Sequence, residues 1–388
     1  MSTAKPTLVR ITTVPISLEK LLSGQLHFMG SFYNVIAVSS DKERLERFGK
    51  LEKVAVFPLE MTRQMTPLQD VLAVIKLFFF LKKARPFIVH THTPKAGIVG
   101  MLASKLAGVP HRLHTVAGMP LLEQAGFKRK VLDFVEKLTY SCATKVYPNS
   151  FKMRDIIIQN EYCTPSKIKV LANGSSNGID TSYFDASHFS DAYKNNLKKE
   201  LGIKSSDFVF IFVGRIVSDK GINELVSAFS KIQESKRDIK LLLVGPYEQE
   251  LNPLKAETLS EINTNKSILA LGYQNEARPY FAISDCLVFP SYREGFPNVV
   301  MQAGAMGLPS IVTNINGCNE IISEGENGII IPVKNSDAVY EAMKKIATNE
   351  NLHSQLKEKT RQMIVSRYEQ KIVWEAILAE YKTIEKDV

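Results

Sequence analysis

Cysteine, tryptophan and closely spaced carboxylates are all scarce in this 388-residue chain. The four cysteines, Cys142, Cys163, Cys286 and Cys318, are widely separated and form no Cys-x-x-Cys pair. That excludes a zinc cluster of the usual spacing and a disulfide framework, and leaves ordinary, mostly buried thiols. No Asp-x-Asp occurs, so the simplest carboxylate clamp for a divalent cation on a diphosphate is missing and no obligatory metal is expected. Neither Gly-x-Gly-x-x-Gly nor Gly-Lys-[Ser/Thr] is present, which argues against a dinucleotide fold of the usual kind and against a P-loop enzyme. The longest apolar run, Val71 to Leu81, has eleven residues with Lys76 inside it, too few to span a bilayer. The opening residues lack the apolar core of a secretory signal, so a cytoplasmic location is expected.

What is present is the composition of a soluble globular protein, 45% hydrophobic and 23% charged, at a length that suits two domains of similar size. The formal charge of +9 is unevenly placed: residues 1–170 hold 25 Lys and Arg against 12 Asp and Glu, and the remainder 24 against 28. A basic first half implies an anionic counterpart, either nucleic acid or a membrane surface. No nucleic-acid recognition motif accompanies the charge, so nucleic acid is not expected as a partner. The local clusters are Lys82-Lys83-Ala-Arg85 and Lys128-Arg129-Lys130, the first directly behind Phe78-Phe79-Phe80. Basic residues beside exposed aromatics read as a peripheral contact with an anionic membrane; the same phenylalanines in a core would leave only a solvated basic face.

Strand-like apolar segments alternate with helical patterns throughout, the signature of α/β layers with parallel sheets. In the first half strands are expected at 7–12, 33–38, 87–90, 112–115, 145–147 and 168–170, with helices at 67–83, 95–107 and 128–142. The rhythm restarts with strands at 208–213, 240–244, 268–271, 286–289, 310–313 and 328–331. Between the two lies a polar segment, and a domain hinge is placed there. The expected organisation is a first domain over 1–180, a linker over 181–206, a second domain over 207–366, and a helix over 367–388 packing at the domain junction.

Gly174-Ser-Ser-Asn-Gly178 has the form Gly-x-Ser-x-Gly of a nucleophile elbow, but Ser176 is followed by the turn sequence Asn-Gly-Ile-Asp rather than a helix, which speaks against that role. The informative segments are anion-binding turns at strand ends. After the 208–213 strand, Gly214-Arg215 and Lys220-Gly221 offer a planar guanidinium and a compact ammonium between glycines, enough to neutralise a diphosphate without a metal. After the 286–289 strand, Ser291 to Pro309 places Glu294 and Gly295 ahead of a helix N-terminus, whose free N–H groups suit an anion. In the first half His114 ends a strand before a Gly-containing loop, a position from which it can contact a substrate in an interdomain cleft; His90 and His92 either line the same cleft or finish their strand.

The ordered set Gly214-Arg215, Lys220-Gly221, Val244-Gly245-Pro246, Leu271-Gly272-Tyr273, Pro290-Ser291, Glu294 to Asn298, Gly307-Leu-Pro309 and Gly325 to Gly328 resembles the retaining glycosyltransferases of the GT4 family. The segments His90 to Gly97 and around His114 look like members that build bacterial capsule or O-antigen. The resemblance implies a GT-B fold, two Rossmann-like α/β domains facing across a cleft. It implies a hexose or N-acetylhexosamine transferred from a nucleoside-diphosphate sugar, UDP-linked by expectation, to a lipid-linked saccharide at the inner face of the cytoplasmic membrane. Arg215 and Lys220 are then expected to hold the donor diphosphate, Glu294 the donor-sugar hydroxyls, and His114 the donor sugar from the other domain. Gly214, Gly245, Tyr273, Gly295, Phe296, Pro297 and Asn298 complete the donor set, and Thr13, His92 and Lys95 are acceptor-side candidates. Retention in the family is pictured as same-face attack without a protein nucleophile. Two departures stand out: the family's second Glu is Gln302, which keeps an acceptor oxygen for ribose but loses the charge, and the loop after the first strand is Thr12-Thr-Val-Pro-Ile-Ser17 instead of glycine-rich. An epimerase or phosphorylase on the same fold, or a non-catalytic partner of a glycan-assembly complex, are the alternatives.

Overall fold

The structure, a computed structural model, describes residues 5–119, 121, 124–248, 250 and 252–386. The opening residues 1–4 and Pro120, which ends the segment around His114, lie outside the described residues. The first six strands are β1 (Thr7–Ile11), β2 (Asn34–Ser39), β3 (Ala55–Pro58), β4 (Ile88–His92), β5 (His111–Val116) and β6 (Lys145–Pro148). The second six are β7 (Phe208–Val213), β8 (Ile239–Val244), β9 (Ile268–Gly272), β10 (Cys286–Phe289), β11 (Ser310–Thr313) and β12 (Gly328–Ile331). They form two six-stranded parallel sheets, ordered β3-β2-β1-β4-β5-β6 and β12-β11-β10-β7-β8-β9. Both sheets are thus the same doubly wound topology. Strands covered on both faces are mostly apolar, which is why β7, Phe-Val-Phe-Ile-Phe-Val, and Leu241 to Leu243 of β8 read as continuous hydrophobic runs. In each sheet the winding reverses between the first and fourth strands, β1/β4 and β7/β10, and there the strand-end loops diverge to leave a crevice.

Three boundaries differ from the sequence reading. A strand at 55–58 was not expected: it is a short, half-exposed edge ending in Pro58, too brief for an alternation to show. The strand expected at 168–170 is only an isolated bridge between Val146 and Ile168. Lys169 N donates to Val146 O at 3.1 Å, but the next donor in that register is residue 148, a proline without an N–H, so the ladder stops. The division of the chain also differs. One compact unit comprises residues up to Asn177 together with those from Lys371 on, and the other runs from Gly178 to Gln370. The 181–206 segment is therefore not a linker but part of the second unit. Ser190 caps the Asp191–Glu200 helix by accepting from Tyr193 N, and Phe184, Phe189, Leu197 and Leu201 pack on that unit's core. Few apolar residues in a polar stretch were enough to seat it.

The last helix runs Gln370–Lys386 rather than from Arg367, because the preceding helix continues to Tyr368, which is fully buried with its ring 5.5 Å from that of Phe296. Its inner face, Val373, Ile377, Tyr381 and Ile384, shares a core cluster with Leu8, Leu26 and Ala37 of the first unit.

That packing surrounds Arg10, a cation on β1 with no exposure at all. Burial pulls its pKa down, and an unpaired buried charge would cost several kcal/mol. Its partners are neutral: it donates to Tyr381 Oη at 2.5 Å, to Gln25 Oε1 at 2.5 Å and to His92 Nε2 at 2.7 Å. Arginine only donates, so His92 accepts at Nε2 and carries its proton on Nδ1. The Tyr381 hydroxyl passes its own proton to His90 Nδ1 at 2.5 Å, and His90 Nε2 donates to Thr115 Oγ1 at 2.7 Å. One tyrosine of the last helix thus bonds to Arg10 and His90 together, while Arg10 Nε and His92 Nδ1 have no partner among the described residues. Tyr381→Phe is expected to lower unfolding free energy by about 2–3 kcal/mol, since it strands a charged donor and an imidazole acceptor. Denaturant unfolding checks this, and an unchanged midpoint would show the network to be dispensable.

Candidate functional site

In the second unit the loops after β7 and β10 meet at the reversal of winding. The β7 loop closes as a single turn of 3-10 helix, Ser218–Lys220, and the β10 loop leads into the Asn298–Ala305 helix. Lys220 Nζ forms an ion pair with Glu294 Oε1, each side chain only about one-sixth exposed. The pair is braced from both sides. Ser291 Oγ donates to Glu294 Oε1 at 2.9 Å, Tyr292 N donates to Asp219 O at 2.9 Å, and Arg293 Nη2 donates to Asp219 Oδ2 at 2.7 Å. From β11, Asn316 Nδ2 donates to the carbonyls of Glu294 at 3.2 Å and Gly295 at 2.5 Å, and Thr313 Oγ1 donates to Ser291 O. Gly317, at φ 75°, lies so close behind the loop that a Cβ there would come within 2.6 Å of Gly295 O and 2.8 Å of Phe296 Cα. Cys318 is fully buried beside the pair; burial pushes its thiol well up, and the Glu294 charge adds to this.

The other expected donor residues fall on the same sheet edge. Gly214 and Gly245 end β7 and β8 with φ of 153° and 147°, and a Cβ on Gly245 would lie 1.8 Å from Gly214 O. Only glycine permits that approach. Arg215 is on the exposed side and pairs with Glu248 at 2.7 Å, so it is not part of the Lys220–Glu294 contact. Tyr273 follows β9 and is 67% exposed. Phe296 and Pro297 are buried, Pro297 immediately precedes the helix, Asn298 opens it, and Gln302 sits half-buried one turn further on. In the first turn of this helix Val300 N donates to Pro297 O at 3.2 Å, and the positive end of the helix dipole lies here, which favours an anion. Asn316, Thr313 and Asp219, which with Ser291 hold Glu294 and its loop, were not singled out in the sequence; the Asn316-Gly317 pair just past β11 is a local turn signal for the first of them.

In the first unit the loops after β1 and β4 are joined in the same way, by hydroxyls rather than charges. Thr13 Oγ1 lies 2.8 Å from Thr93 Oγ1 and accepts from Ala96 N at 3.3 Å, while Thr93 takes φ 77°, rare for a β-branched residue. Of the acceptor-side candidates, Thr13 is 3% exposed and ties these loops, His92 is 1% exposed and bound to Arg10, and Lys95 pairs with Asp70. All three have structural partners, and His90 likewise finishes its strand inside the core. His114 is the exception. Thr91 Oγ1 lies 2.8 Å from His114 Nδ1, a contact that occupies this ring nitrogen. The ring lines a cavity of about 240 Å3. The Gly174–Gly178 segment is a series of turns and bends with no helix after Ser176, whose carbonyl accepts from Gln25 Nε2 at 3.0 Å; it is not a nucleophile elbow. Among the described residues no group of three or more His, Cys, Asp and Glu is arranged to hold a metal ion, and no helix is long and apolar enough to cross a membrane.

Comparison with known proteins fits this two-sheet arrangement. Residues 193–363 match the model of glycosyl transferases group 1, and residues 32–174 that of the glycosyl transferase 4-like domain. A capsular polysaccharide biosynthesis glycosyltransferase of Staphylococcus aureus is 31% identical over 369 residues, 95% of this chain and 94% of that one. The Escherichia coli UDP-Gal:alpha-D-GlcNAc-diphosphoundecaprenol alpha-1,3-galactosyltransferase is 33% identical over 307 residues, 77% and 76% of the two chains. The Anabaena protein HepE, solved in complex with UDP, superposes with a TM-score of 0.80 at 16% identity, covering 98% of this chain and 100% of that one.

The buried imidazoles set the response to acid. Burial pushes His114 down to about 4, and burial with the Arg10 charge holds His90 and His92 well below their ordinary value. The unfolded chain, whose histidines titrate near ~6.5, therefore binds more protons as pH falls below that value, and stability is lost with it. Urea unfolding between pH 7.5 and 5 is expected to show this loss. His114→Gln is expected to flatten the slope by up to about 1.4 kcal/mol per pH unit; an identical slope would contradict the neutral-histidine assignment.

Proposed function

The chain belongs to the group 1 glycosyl transferases, GT-B enzymes of the GT4 type, and from that membership we propose a retaining, metal-independent transfer of a hexose or N-acetylhexosamine from a UDP-sugar to a lipid-linked saccharide in surface-polysaccharide assembly. The observation that carries the donor assignment is the Lys220–Glu294 pair at the β7/β10 reversal. It sets a cation suited to a diphosphate beside a carboxylate suited to sugar hydroxyls, at the place where a doubly wound sheet binds ligands. The E. coli relative takes UDP-Gal and a diphosphoundecaprenol-linked sugar, and HepE binds UDP, which supports UDP as the nucleotide and a lipid-linked acceptor.

In this reading Lys220 and Arg215 neutralise the diphosphate, with Arg215 exchanging Glu248 for phosphate. The first-turn N–H groups from Asn298 take a phosphate oxygen, Glu294 accepts from sugar hydroxyls, and Gln302 accepts from a ribose hydroxyl. The bond from the anomeric carbon to the phosphate oxygen breaks, and charge grows on the departing UDP where the two cations already lie. The acceptor oxygen bonds to the same face of the anomeric carbon, and its proton passes to the departing phosphate. Two side-chain cations supply the charge that a divalent ion supplies elsewhere, which is the basis for metal independence. Lys220→Ala is expected to reduce kcat/KM for the donor by about 10–150-fold, the equivalent of losing one charge-assisted contact of about 1.5–3 kcal/mol. Initial rates with UDP-, GDP- and ADP-sugars, with and without EDTA, check the assignment; wild-type rates in the variant, or rates abolished by EDTA, would refute it.

The helix Pro67–Ala84 supplies the membrane side of the reading. Leu68, Val71, Leu72, Ile75 and Phe79 share one face at helical spacing, each between 46% and 85% exposed, while Phe80 stacks inward on Phe57 at 4.0 Å. The helix Pro94–Ala107 packs between this helix and Gly126–Cys142, which exposes Phe127 and Phe134. Apolar side chains next to Lys76, Lys82, Lys83 and Lys128 to Lys130 suit an anionic bilayer surface. Co-sedimentation with vesicles is expected to require anionic lipid and to fall in a Leu68→Ser, Leu72→Ser, Phe79→Ser variant. Equal sedimentation of the two proteins would rule out this face.

A further inference from the structure

The cavity beside His114 has a second functional wall that the donor site does not use. It is about 240 Å3, short of the roughly 300–1,000 Å3 of drug-sized pockets and equal to about eight waters of liquid volume, which is room for one pyranose ring. Leu21, Pro94 and Val116 make its apolar side, suited to the C–H face of a sugar. Its polar side includes His114 and Glu136, a carboxyl from the Gly126–Cys142 helix that is 8% exposed and lines the cavity from below α-helical cover. An ionised carboxylate only accepts hydrogen bonds, and an imidazole beside it adds a second polar group. Such groups against an apolar wall suit a polyol, whose hydroxyls both donate and accept.

We propose that Glu136 is a specificity-determining residue of a single-sugar subsite, accepting a hydrogen bond from a hydroxyl of the pyranose that occupies this cavity. The assignment rests on the glycosyltransferase reading and extends it to a residue that no motif marks. The polar neighbour of this carboxyl on its own helix is the Tyr140 hydroxyl, and burial pushes the carboxyl above its ordinary range. The pyranose belongs to the donor or to the acceptor, and the kinetics separate the two: the substrate whose KM responds is the one in the cavity.

The test is steady-state transfer by the full chain carrying Glu136→Ala or the isosteric Glu136→Gln, with donor and acceptor varied in turn and with singly deoxygenated sugars. Glu136→Ala is expected to raise KM for one saccharide about 10–150-fold, the loss of a hydrogen bond to a charged group, with affinity for UDP alone and thermal midpoint unchanged, and Glu136→Gln is expected to fall between. One deoxy sugar is expected to be discriminated against by wild type and not by Glu136→Ala. If Glu136→Ala does not fold, Glu136→Gln with the deoxy panel decides the point. Wild-type KM values for both saccharides, or deoxy discrimination that survives in the variant, would overturn the subsite while leaving the transferase reading intact. A wild-type chain that transfers no sugar from any nucleotide donor would instead overturn the transferase reading.

Discussion

The contact on which the second unit's site depends is the ion pair between Lys220 and Glu294. The two residues are far apart in sequence and arrive on loops from β7 and β10, strands that are neighbours only because the sheet's winding reverses between them. A salt bridge on an open surface is worth little. This one is mostly enclosed, and its acidic partner is oriented by Ser291 and by Asn316 reaching across from β11. Its consequence is positional: it fixes a cation and a carboxylate beside each other on one sheet edge, and groups fixed in this way cost less ordering when something binds them.

The first unit solves the same topological problem with neutral groups. Its reversal point is closed by two threonine hydroxyls, and the core behind it contains a buried arginine bonded to a tyrosine, a glutamine and a histidine. The direction of each hydrogen bond propagates from that arginine. Because Arg10 cannot accept, His92 must, and because Tyr381 accepts from Arg10, it donates to His90. His114 belongs to a separate contact, through Nδ1 to Thr91. Three histidines that look alike in sequence therefore differ in role, two being structural and one lining a cavity.

Much of this was legible in the residues. Eleven of the twelve strands were recognisable as largely apolar runs between turn residues, because parallel strands buried on both faces are mostly hydrophobic, even though β4 carries His90, Thr91 and His92. The exception, β3, is a half-exposed edge strand, where that constraint lapses. The expected linker failed for the opposite reason: 181–206 is polar enough to look like a hinge, yet Phe184, Phe189, Leu197 and Leu201 are sufficient to seat it on the second core. Arg215, Lys220 and Glu294 were marked as charges beside glycines at strand ends, and the structure pairs Lys220 with Glu294 and Arg215 with Glu248. His92 and Lys95 looked equally available, and only their buried partners, Arg10 and Asp70, showed otherwise.

The sequence by itself determined parallel α/β layers and a set of cations and a carboxylate at strand C-termini, which follow from local pattern (apolar periodicity, glycine at tight turns, charge at loop positions), and its ordered motifs carried the resemblance to a family. Tertiary structure alone decided which of those side chains meet. Lys220 finds Glu294 while Arg215 turns to Glu248; the last helix returns to place Tyr381 over Arg10; and Glu136, unremarkable on its helix, faces the same cavity as His114. Such pairings depend on which strands are adjacent and which helix faces are covered, and those are set by the packing of the whole sheet, not by any segment of it.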